Sequence, residues 1–339
     1  MALKQSPYNY GIINGFKVKI LIVGCGSIGK RYILNLINLK KSIAVFNRSS
    51  HRLNEFKYSD RITIYDDIEL AYKQFKPSVT FICTPANTHL LFIKKAIKNN
   101  NWVFVEKPIV NLKTEKKHFS LSRNKSKNIF VSCNMRFHWG PKKIKKIIDE
   151  NLLGKLYFSR IHCGSYLPDW HPNEDYSKNY SASSYKGGGV LLDIIHEIDL
   201  NCWLFGFPKK VKSFVSKISN LNIQTEDLAN ILFLYKDKFQ THININYLQK
   251  PVSRGIFIQG ELGNIEWSLE DKKIIYYNKN KNRTYMYYEP KKWDHNSMYL
   301  NQTKYFIDLI KQRNLNINNF DYSYKVINLI KKIKASSLN

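Results

Sequence analysis

The sequence predicts an α/β protein: a doubly wound parallel sheet followed by a second α/β domain built on an antiparallel sheet. Three observations carry this reading. The apolar run Val18-Lys19-Ile20-Leu21-Ile22-Val23 leads straight into a glycine-rich stretch, Gly24-Cys25-Gly26-Ser27-Ile28-Gly29. Short apolar strands then alternate with amphipathic helical stretches as far as Phe137. Beyond Pro141 the chain changes character, and β-rich segments recur with short polar connections.

The glycine stretch is the most informative of the three. Its first glycine permits a tight turn, and its second lets the backbone approach a pyrophosphate. Its third lets the following helix pack closely on the strand. A helix from Ile28 to about Leu39 would then point unpaired N–H groups and a positive dipole end at the anion. A bare glycine hexad is also compatible with an ordinary turn. The strand before it and the helix after it favour a nucleotide cradle built by Gly24, Gly26, Ser27, Ile28 and Gly29.

Candidate strands follow at Ser42–Phe46, Ile62–Tyr65, Val79–Cys83, Trp102–Val105 and Ile129–Cys133. Helical stretches lie between them, as at Leu90–Lys98 and Thr114–Asn124. Repeated strand–helix units of this length make a parallel sheet covered on both faces. Ligands bind such sheets at the carboxyl ends of the strands. Two segments fall there: Thr84, Pro85, Asn87 and His89 after the fourth strand, and Glu106-Lys107-Pro108 after the fifth. Lys107 reads either as a solvated turn lysine or as a contact to both cofactor and substrate.

The second domain is expected to run helix 142–150, strand Leu156–Gly164, a polar aromatic loop from Tyr166 to Lys186, and a helix Val190–Phe205 opened by Gly187-Gly188-Gly189. Strands are expected at Val211–Ser219, Leu228–Tyr235, Gln240–Leu248, Gly255–Gly260 and Asn264–Trp267, and helices near Met298–Lys311 and Tyr322–Ala335. The expected division is an extension over residues 1–15, a nucleotide-binding domain over 16–137, a substrate and oligomerisation domain over 138–320, and a C-terminal helix over 321–339. Asp193 and His196, three apart on the Val190–Phe205 helix, would share one face, with Asp199 near that side. Charged and imidazole groups on so apolar a helix need partners. They are read as a satisfied network or as functional groups. No further His or Cys has the spacing for a metal site. The loop through Trp170 and Tyr176 offers aromatic faces and polar groups suited to a sugar ring, or simply packs.

Composition narrows the class. A chain of 339 residues buries a large core and suggests about two domains. Its five cysteines are odd in number and scattered, which reads as reduced thiols. The N-terminal MALKQSPYNYGIINGF lacks the apolar core of a secretory signal, and the longest apolar region, Val190–Phe207, carries too many charges to span a bilayer. A cytoplasmic enzyme is expected, with no membrane partner. The formal charge of +28 would attract nucleic acid. The lysines are spread along the chain, however, and no nucleic-acid-binding module stands out, so a nucleic-acid partner is not expected. An anionic small molecule is compatible with the charge.

Glycine turn, Glu106-Lys107-Pro108 and Gly187-Gly188-Gly189-Val190-Leu191-Leu192-Asp193-Ile194-Ile195-His196-Glu197-Ile198-Asp199, in this order and spacing, resemble the Gfo/Idh/MocA oxidoreductases. The resemblance implies a Rossmann domain joined to an α/β domain whose open antiparallel sheet carries homo-oligomer contacts, as a dimer or tetramer. It also implies oxidation or reduction of carbohydrates with NAD(H) or NADP(H). Lys107 would match the lysine near the nicotinamide, with Asp193 and His196 matching the aspartate and histidine of the second-domain helix. Many members separate that pair by four residues rather than three. Asn134 and Arg136 resemble a segment that contacts substrate. On this likeness His196 is the general acid/base, Lys107 steadies the developing alkoxide or relays the proton, and Asp193 orients substrate or His196. The segment from Tyr166 to Asp199 also looks like a branch associated with bacterial surface-sugar and nonulosonate biosynthesis.

Cofactor choice turns on the end of the second strand. NAD sites usually carry an acidic residue there for the ribose 2′-hydroxyl. This chain has Asn47-Arg48-Ser49-Ser50 instead, which favours NADP over NAD. Two rival readings remain at the level of sequence: a catalytically silent nucleotide- or sugar-binding relative, and a basic nucleic-acid-binding protein.

Overall fold

The computed structural model describes residues 12–13, 16–49, 53, 56, 60–112, 114, 126–312 and 318–338. The described residues form two compact units. The first takes in those within 12–110, 126–132 and 299–323, the second those within 111–114, 133–298 and 324–338.

The main sheet of the first unit holds six strands: β1 (Lys19–Val23), β2 (Ser42–Phe46), β3 (Ile62–Tyr65), β4 (Val79–Ile82), β5 (Trp102–Val105) and β6 (Ile129–Val131). All pair in parallel, in the order β3-β2-β1-β4-β5-β6. That order reverses direction between β1 and β4, where doubly wound sheets bind dinucleotides. Helix α1 (Ser27–Asn38) follows β1, and α2 (His89–Lys98) joins β4 to β5. Residues 20–23, 79–82 and 103–105 are buried throughout, as a strand covered on both faces requires.

A later helix, α6 as counted along the chain (Ser297–Gln312), belongs to this first unit from Tyr299 on. Phe306 packs its ring against Phe81, Phe104 and Phe130 at centroid distances of 5.6, 5.3 and 5.3 Å. Tyr32 of α1 meets Phe104 edge-on at 5.0 Å. This aromatic layer explains why residues 299–320, expected above in the second domain, cluster with the six-stranded parallel sheet. The expected helix Thr114–Asn124 lies outside the described residues beyond Thr114, and so does the 1–15 extension apart from Ile12 and Ile13.

The second unit begins with α3 (Trp139–Asp149) and β7 (Leu156–Gly164), then α4 (Val190–Asp193) and α5 (Ile195–Phe205). Seven strands follow: β8 (Lys210–Ser216), β9 (Leu228–Leu234), β10 (Gln240–Asn246), β11 (Ser253–Gly260), β12 (Gly263–Ser268), β13 (Lys273–Asn278) and β14 (Arg283–Tyr288). The eight-stranded sheet runs β8-β9-β10-β7-β11-β12-β13-β14. It is mostly antiparallel, but β7 lies parallel to β10, because the chain crosses over between them instead of turning back in a hairpin. Helix α7 (Phe320–Ala335) joins this unit from Tyr324.

Two differences from expectation matter. Strands β13 and β14 extend the sheet beyond Trp267, as two tyrosine-rich runs joined by a lysine- and asparagine-rich turn. The helix expected over Val190–Phe205 is two helices: Ile194 leaves helical backbone at φ −99° and ψ 32°. Asp193 therefore ends one helix while His196 sits in the first turn of the next.

His138 illustrates what burial does to a titratable group in this unit. It is 4 % exposed and ringed by Trp139, Trp267 and Trp293 at 6.1, 5.1 and 5.2 Å. Its Nδ1 accepts the Gly140 N–H at 3.2 Å. Burial, reinforced by the charge of Arg254 and by His295, lowers its pKa from 6.5 to about 3. The imidazole is thus neutral in the fold, whereas an unfolded chain gains a proton below about pH 6.5. Its contribution is fully present above that value and is lost as pH falls towards 3. Wild type is expected to lose about 2 kcal/mol more than His138→Phe between pH 7 and pH 5, at about 1.4 kcal/mol per pH unit. Urea unfolding at the two pH values checks this, and equal losses would contradict it.

Candidate functional site

The switch point of the first sheet is assembled from the loops after β1, β2, β4 and β5. Gly24 adopts φ +99°, where a side chain is strained, and its N–H bonds the Phe46 carbonyl at 2.9 Å. A Cβ on Gly29 would lie 2.1 Å from the Gly24 carbonyl oxygen, so α1 seats directly on the turn. Gly26 is the N-cap of α1, with extended backbone and no side-chain cap, and no acidic residue stands in the first turn. Ser27 is exposed at that end and Ile28 half-buried. The uncapped first turn leaves backbone N–H groups that suit an anion.

Asn47 ties two of these loops together. Its Oδ1 accepts the Cys25 N–H at 2.9 Å and its Nδ2 donates to the Ser49 carbonyl at 2.8 Å. Arg48 and Ser49 beside it are exposed. The carboxamide thus holds the glycine turn in shape. No carboxylate takes its place for a ribose diol.

After β4, Thr88 donates to the Thr84 hydroxyl at 2.7 Å, closing a turn in which Pro85 and Asn87 are exposed. His89 is buried and lies between two carbonyls, Thr84 at 2.7 Å from Nε2 and Pro108 at 3.0 Å from Nδ1. Burial lowers its pKa while those carbonyls oppose the shift. Expected as a cofactor contact, His89 instead clamps the post-β4 loop to the post-β5 loop that carries Lys107. The Lys107–Pro108 bond is cis, and Lys107 is half-buried. Behind it Glu106 accepts a hydrogen bond from the Tyr32 hydroxyl at 2.8 Å.

In the second unit, Asn134 and Arg136 lie on a 3₁₀ turn, Asn134–Phe137. Both are buried. Arg136 forms a two-pronged ion pair with Asp199, Nε to Oδ2 at 2.7 Å and Nη2 to Oδ1 at 2.6 Å. Asn134 Oδ1 is buried with no hydrogen-bond partner among the described residues. Asp193 Oδ2 accepts the Tyr247 hydroxyl at 2.6 Å, and burial beside that carboxylate raises the phenol far above its ordinary range. Trp170 stands edge-on to Tyr247 at 5.3 Å and donates to the Ser165 hydroxyl at 2.8 Å. The Tyr176 hydroxyl accepts the Asn222 N–H at 3.2 Å. His196 is half-buried, and its neighbour Glu197 accepts from Arg254 Nε at 2.6 Å.

Sequence reasoning missed Tyr247, the pairing of Arg136 with Asp199, and the partners of Glu106. Their partners sit 54, 63 and 74 residues away, beyond any local period. Among the described residues no group of three or more His, Cys, Asp or Glu can hold a metal ion, and no helix is long and apolar enough to cross a membrane.

Residues 18–133 match the model of the oxidoreductase family with an NAD-binding Rossmann fold, and residues 142–266 match that of the GFO/IDH/MocA C-terminal domain. The myo-inositol 2-dehydrogenase of Thermotoga maritima is 26 % identical over 194 residues, 56 % of this chain and 55 % of that protein. The chain thus spans about half the length of that relative. An oxidoreductase from Agrobacterium radiobacter, solved with NAD+, L-tartaric acid and magnesium, superposes with a TM-score of 0.81 at 18 % identity, covering 95 % of this chain and 96 % of its own. The WlbA dehydrogenase of Bordetella pertussis, solved with NADH and UDP-GlcNAcA, gives 0.74 at 16 % identity, covering 95 % and 97 %. With both domain models matched in order, and a parallel β3-β2-β1-β4-β5-β6 sheet preceding the mixed one, the chain belongs to the Gfo/Idh/MocA oxidoreductase family.

Proposed function

We propose that the protein is an NAD(P)-dependent oxidoreductase that moves hydride between a nicotinamide cofactor and a hydroxyl-bearing carbon of a sugar or sugar derivative. The observation that carries the reading is the turn between β1 and α1. Gly24 and Gly29 bring backbone and helix together there, and the first turn of α1 presents N–H groups without a side-chain cap. These residues fit a dinucleotide pyrophosphate. The bound nicotinamide supplies the site that accepts or returns hydride.

The chain's own residues then handle the proton and the charge. In oxidation His196 takes the hydroxyl proton on a ring nitrogen, and in reduction it returns it. Lys107 Nζ donates to the substrate oxygen as negative charge grows there. Asp193, fixed by Tyr247, orients the substrate or holds His196 in one tautomer. Asn134 Oδ1, buried without a partner, accepts a substrate hydroxyl. Arg136 already has its carboxylate in Asp199, so it shapes this wall from behind. Trp170 and Tyr176 offer ring faces to the sugar.

The substrate class we favour is a sugar of surface-polysaccharide or nonulosonate biosynthesis. The motif around Asp193 and His196 supports it, as does the fold shared with a dehydrogenase bound to UDP-GlcNAcA. The working form is a cytoplasmic homo-oligomer, consistent with five cysteines that are all free thiols.

NADP is the preferred cofactor. Asn47 spends its carbonyl on Cys25 and brings no negative charge against a 2′-phosphate, while Arg48 and Ser49 are exposed beside it. Titration with NADPH and NADH, followed by nicotinamide fluorescence, tests both points. Saturable binding with NADPH preferred is expected, and Arg48→Ala should erase most of that preference. An unchanged ratio would remove Arg48 from the discrimination. Failure to bind either cofactor would overturn the oxidoreductase reading.

A further inference from the structure

Behind the Glu106-Lys107-Pro108 turn lies a buried hydrogen-bonded network that the proposed chemistry does not use. Tyr32 from α1 and Gln302 from α6 are 0 % exposed, and Ser132, just past β6, is 1 % exposed. Gln302 Nε2 donates to the Tyr32 hydroxyl at 3.0 Å and to the Ser132 hydroxyl at 3.0 Å. Its two amide protons are thereby spent on the oxygens of two hydroxyl groups. Each hydroxyl has one proton of its own left to give.

Both protons go to one place. Tyr32 donates to Glu106 Oε1 at 2.8 Å, and Ser132 hydrogen-bonds the same carboxylate. The direct Tyr32–Ser132 approach is longer, at 3.4 Å, as it must be if neither hydroxyl spends its proton on the other. The donors are therefore aligned from Gln302 through two hydroxyls onto a single acceptor. An ionised Glu106, which accepts at both oxygens and brings no proton of its own, matches this pattern. Burial raises the Glu106 pKa above the usual carboxylate range, and the two hydroxyls together with the Lys107 charge hold that rise back.

The other carboxylate oxygen faces Lys107. Glu106 Oε2 accepts the Lys107 backbone N–H at 3.3 Å, and the charges of Glu106 and Lys107 attract. Tyr32 itself has little freedom, boxed in by Phe81 at 5.6 Å, Phe104 at 5.0 Å and Tyr299 at 6.1 Å. A rigid aromatic layer thus fixes a phenol, the phenol fixes a carboxylate, and the carboxylate fixes the lysine's backbone and its electrostatic surroundings.

We propose that Tyr32, Ser132 and Gln302 are positioning residues that act through Glu106 to set the place and charge environment of Lys107. The inference rests on the reading of Lys107 as the group that meets the substrate oxygen. It gives Gln302, 170 residues from Ser132 in sequence, a reason to sit at the centre of the nucleotide-binding unit.

Competitive acetylation of the full-length protein at mildly alkaline pH tests this, with peptide mass spectrometry comparing Lys107 with the exposed Lys94. Glu106 Oε2 accepts the Lys107 backbone N–H and its carboxylate attracts the lysine charge, so Glu106→Gln is expected to speed Lys107 labelling at least threefold relative to Lys94. Tyr32→Phe and Gln302→Leu should raise that ratio in the same direction, and Tyr32→Phe should add nothing in a Glu106→Gln background. A general loosening of the fold would speed both lysines together and overturn the proposal. An unchanged Lys107 ratio in Glu106→Gln, or additive effects in the double variant, would overturn it as well. Labelling needs no substrate, so its outcome stands apart from the catalytic reading. That reading fails separately, if Lys107→Met leaves turnover intact.

Discussion

Replacing His196 by asparagine is expected to lower turnover about a hundredfold while leaving NADPH and NADH affinity unchanged. Asparagine keeps the size and one hydrogen-bonding end of imidazole but cannot carry a proton at neutral pH, and positioned general acid/base groups contribute about 10²–10⁴-fold. The proposed dinucleotide cradle is built from Gly24, Gly26, Gly29 and Asn47 in the first unit, whereas His196 belongs to the second. Binding and turnover should therefore separate cleanly. Stopped-flow absorbance with a sugar that turns over gives the rate, and fluorescence titration gives the affinity. Lys107→Met should also slow turnover, by removing the cation that meets the growing negative charge. If His196→Asn turns over as wild type does, the acid/base role passes to another group.

The parts of this site that sequence revealed are those whose cause is local. Gly24, Gly26 and Gly29 could be read because strand, turn and helix adjoin in the chain, and each glycine answers a steric demand set within a few residues. The strands of the first sheet were visible for the same reason, since a strand buried on both faces must be a short continuous apolar run. What stayed hidden depends on partners far away. Asp193 and His196 looked like neighbours on one helix face, and nothing in the intervening Ile194-Ile195 announced the break that places them on successive helices. Asp199 was noticed for its spacing from His196, but its partner, Arg136, was read as a substrate contact because no periodicity joins residues 63 apart. His89 was read as a ligand from its place after β4. Its two carbonyl partners give it a structural task that only the fold displays.

The Arg136–Asp199 pair ties the Asn134–Phe137 turn to α5, and breaking it should have the largest effect on stability of any single change considered. Both side chains are nearly fully buried, at 3 % and 7 % exposure, and the guanidinium also lies 5.9 Å from the Trp203 ring. Asp199→Ala would leave a guanidinium charge in an apolar setting without its counter-ion. Removing one partner of such a pair costs about 3–5 kcal/mol, more than the pair contributes as a whole, because the remaining charge stays desolvated. Replacing both residues with apolar ones of similar volume, Arg136→Met with Asp199→Leu, should therefore recover most of the loss. Urea unfolding of the single and double variants makes the comparison. The same variants separate two views of Arg136. If it serves only as an internal support, Asp199→Ala loses stability and the double variant regains it with turnover still present. If Arg136 also contacts substrate, the double variant regains stability but its KM stays raised, since methionine offers a sugar hydroxyl no hydrogen-bond donor.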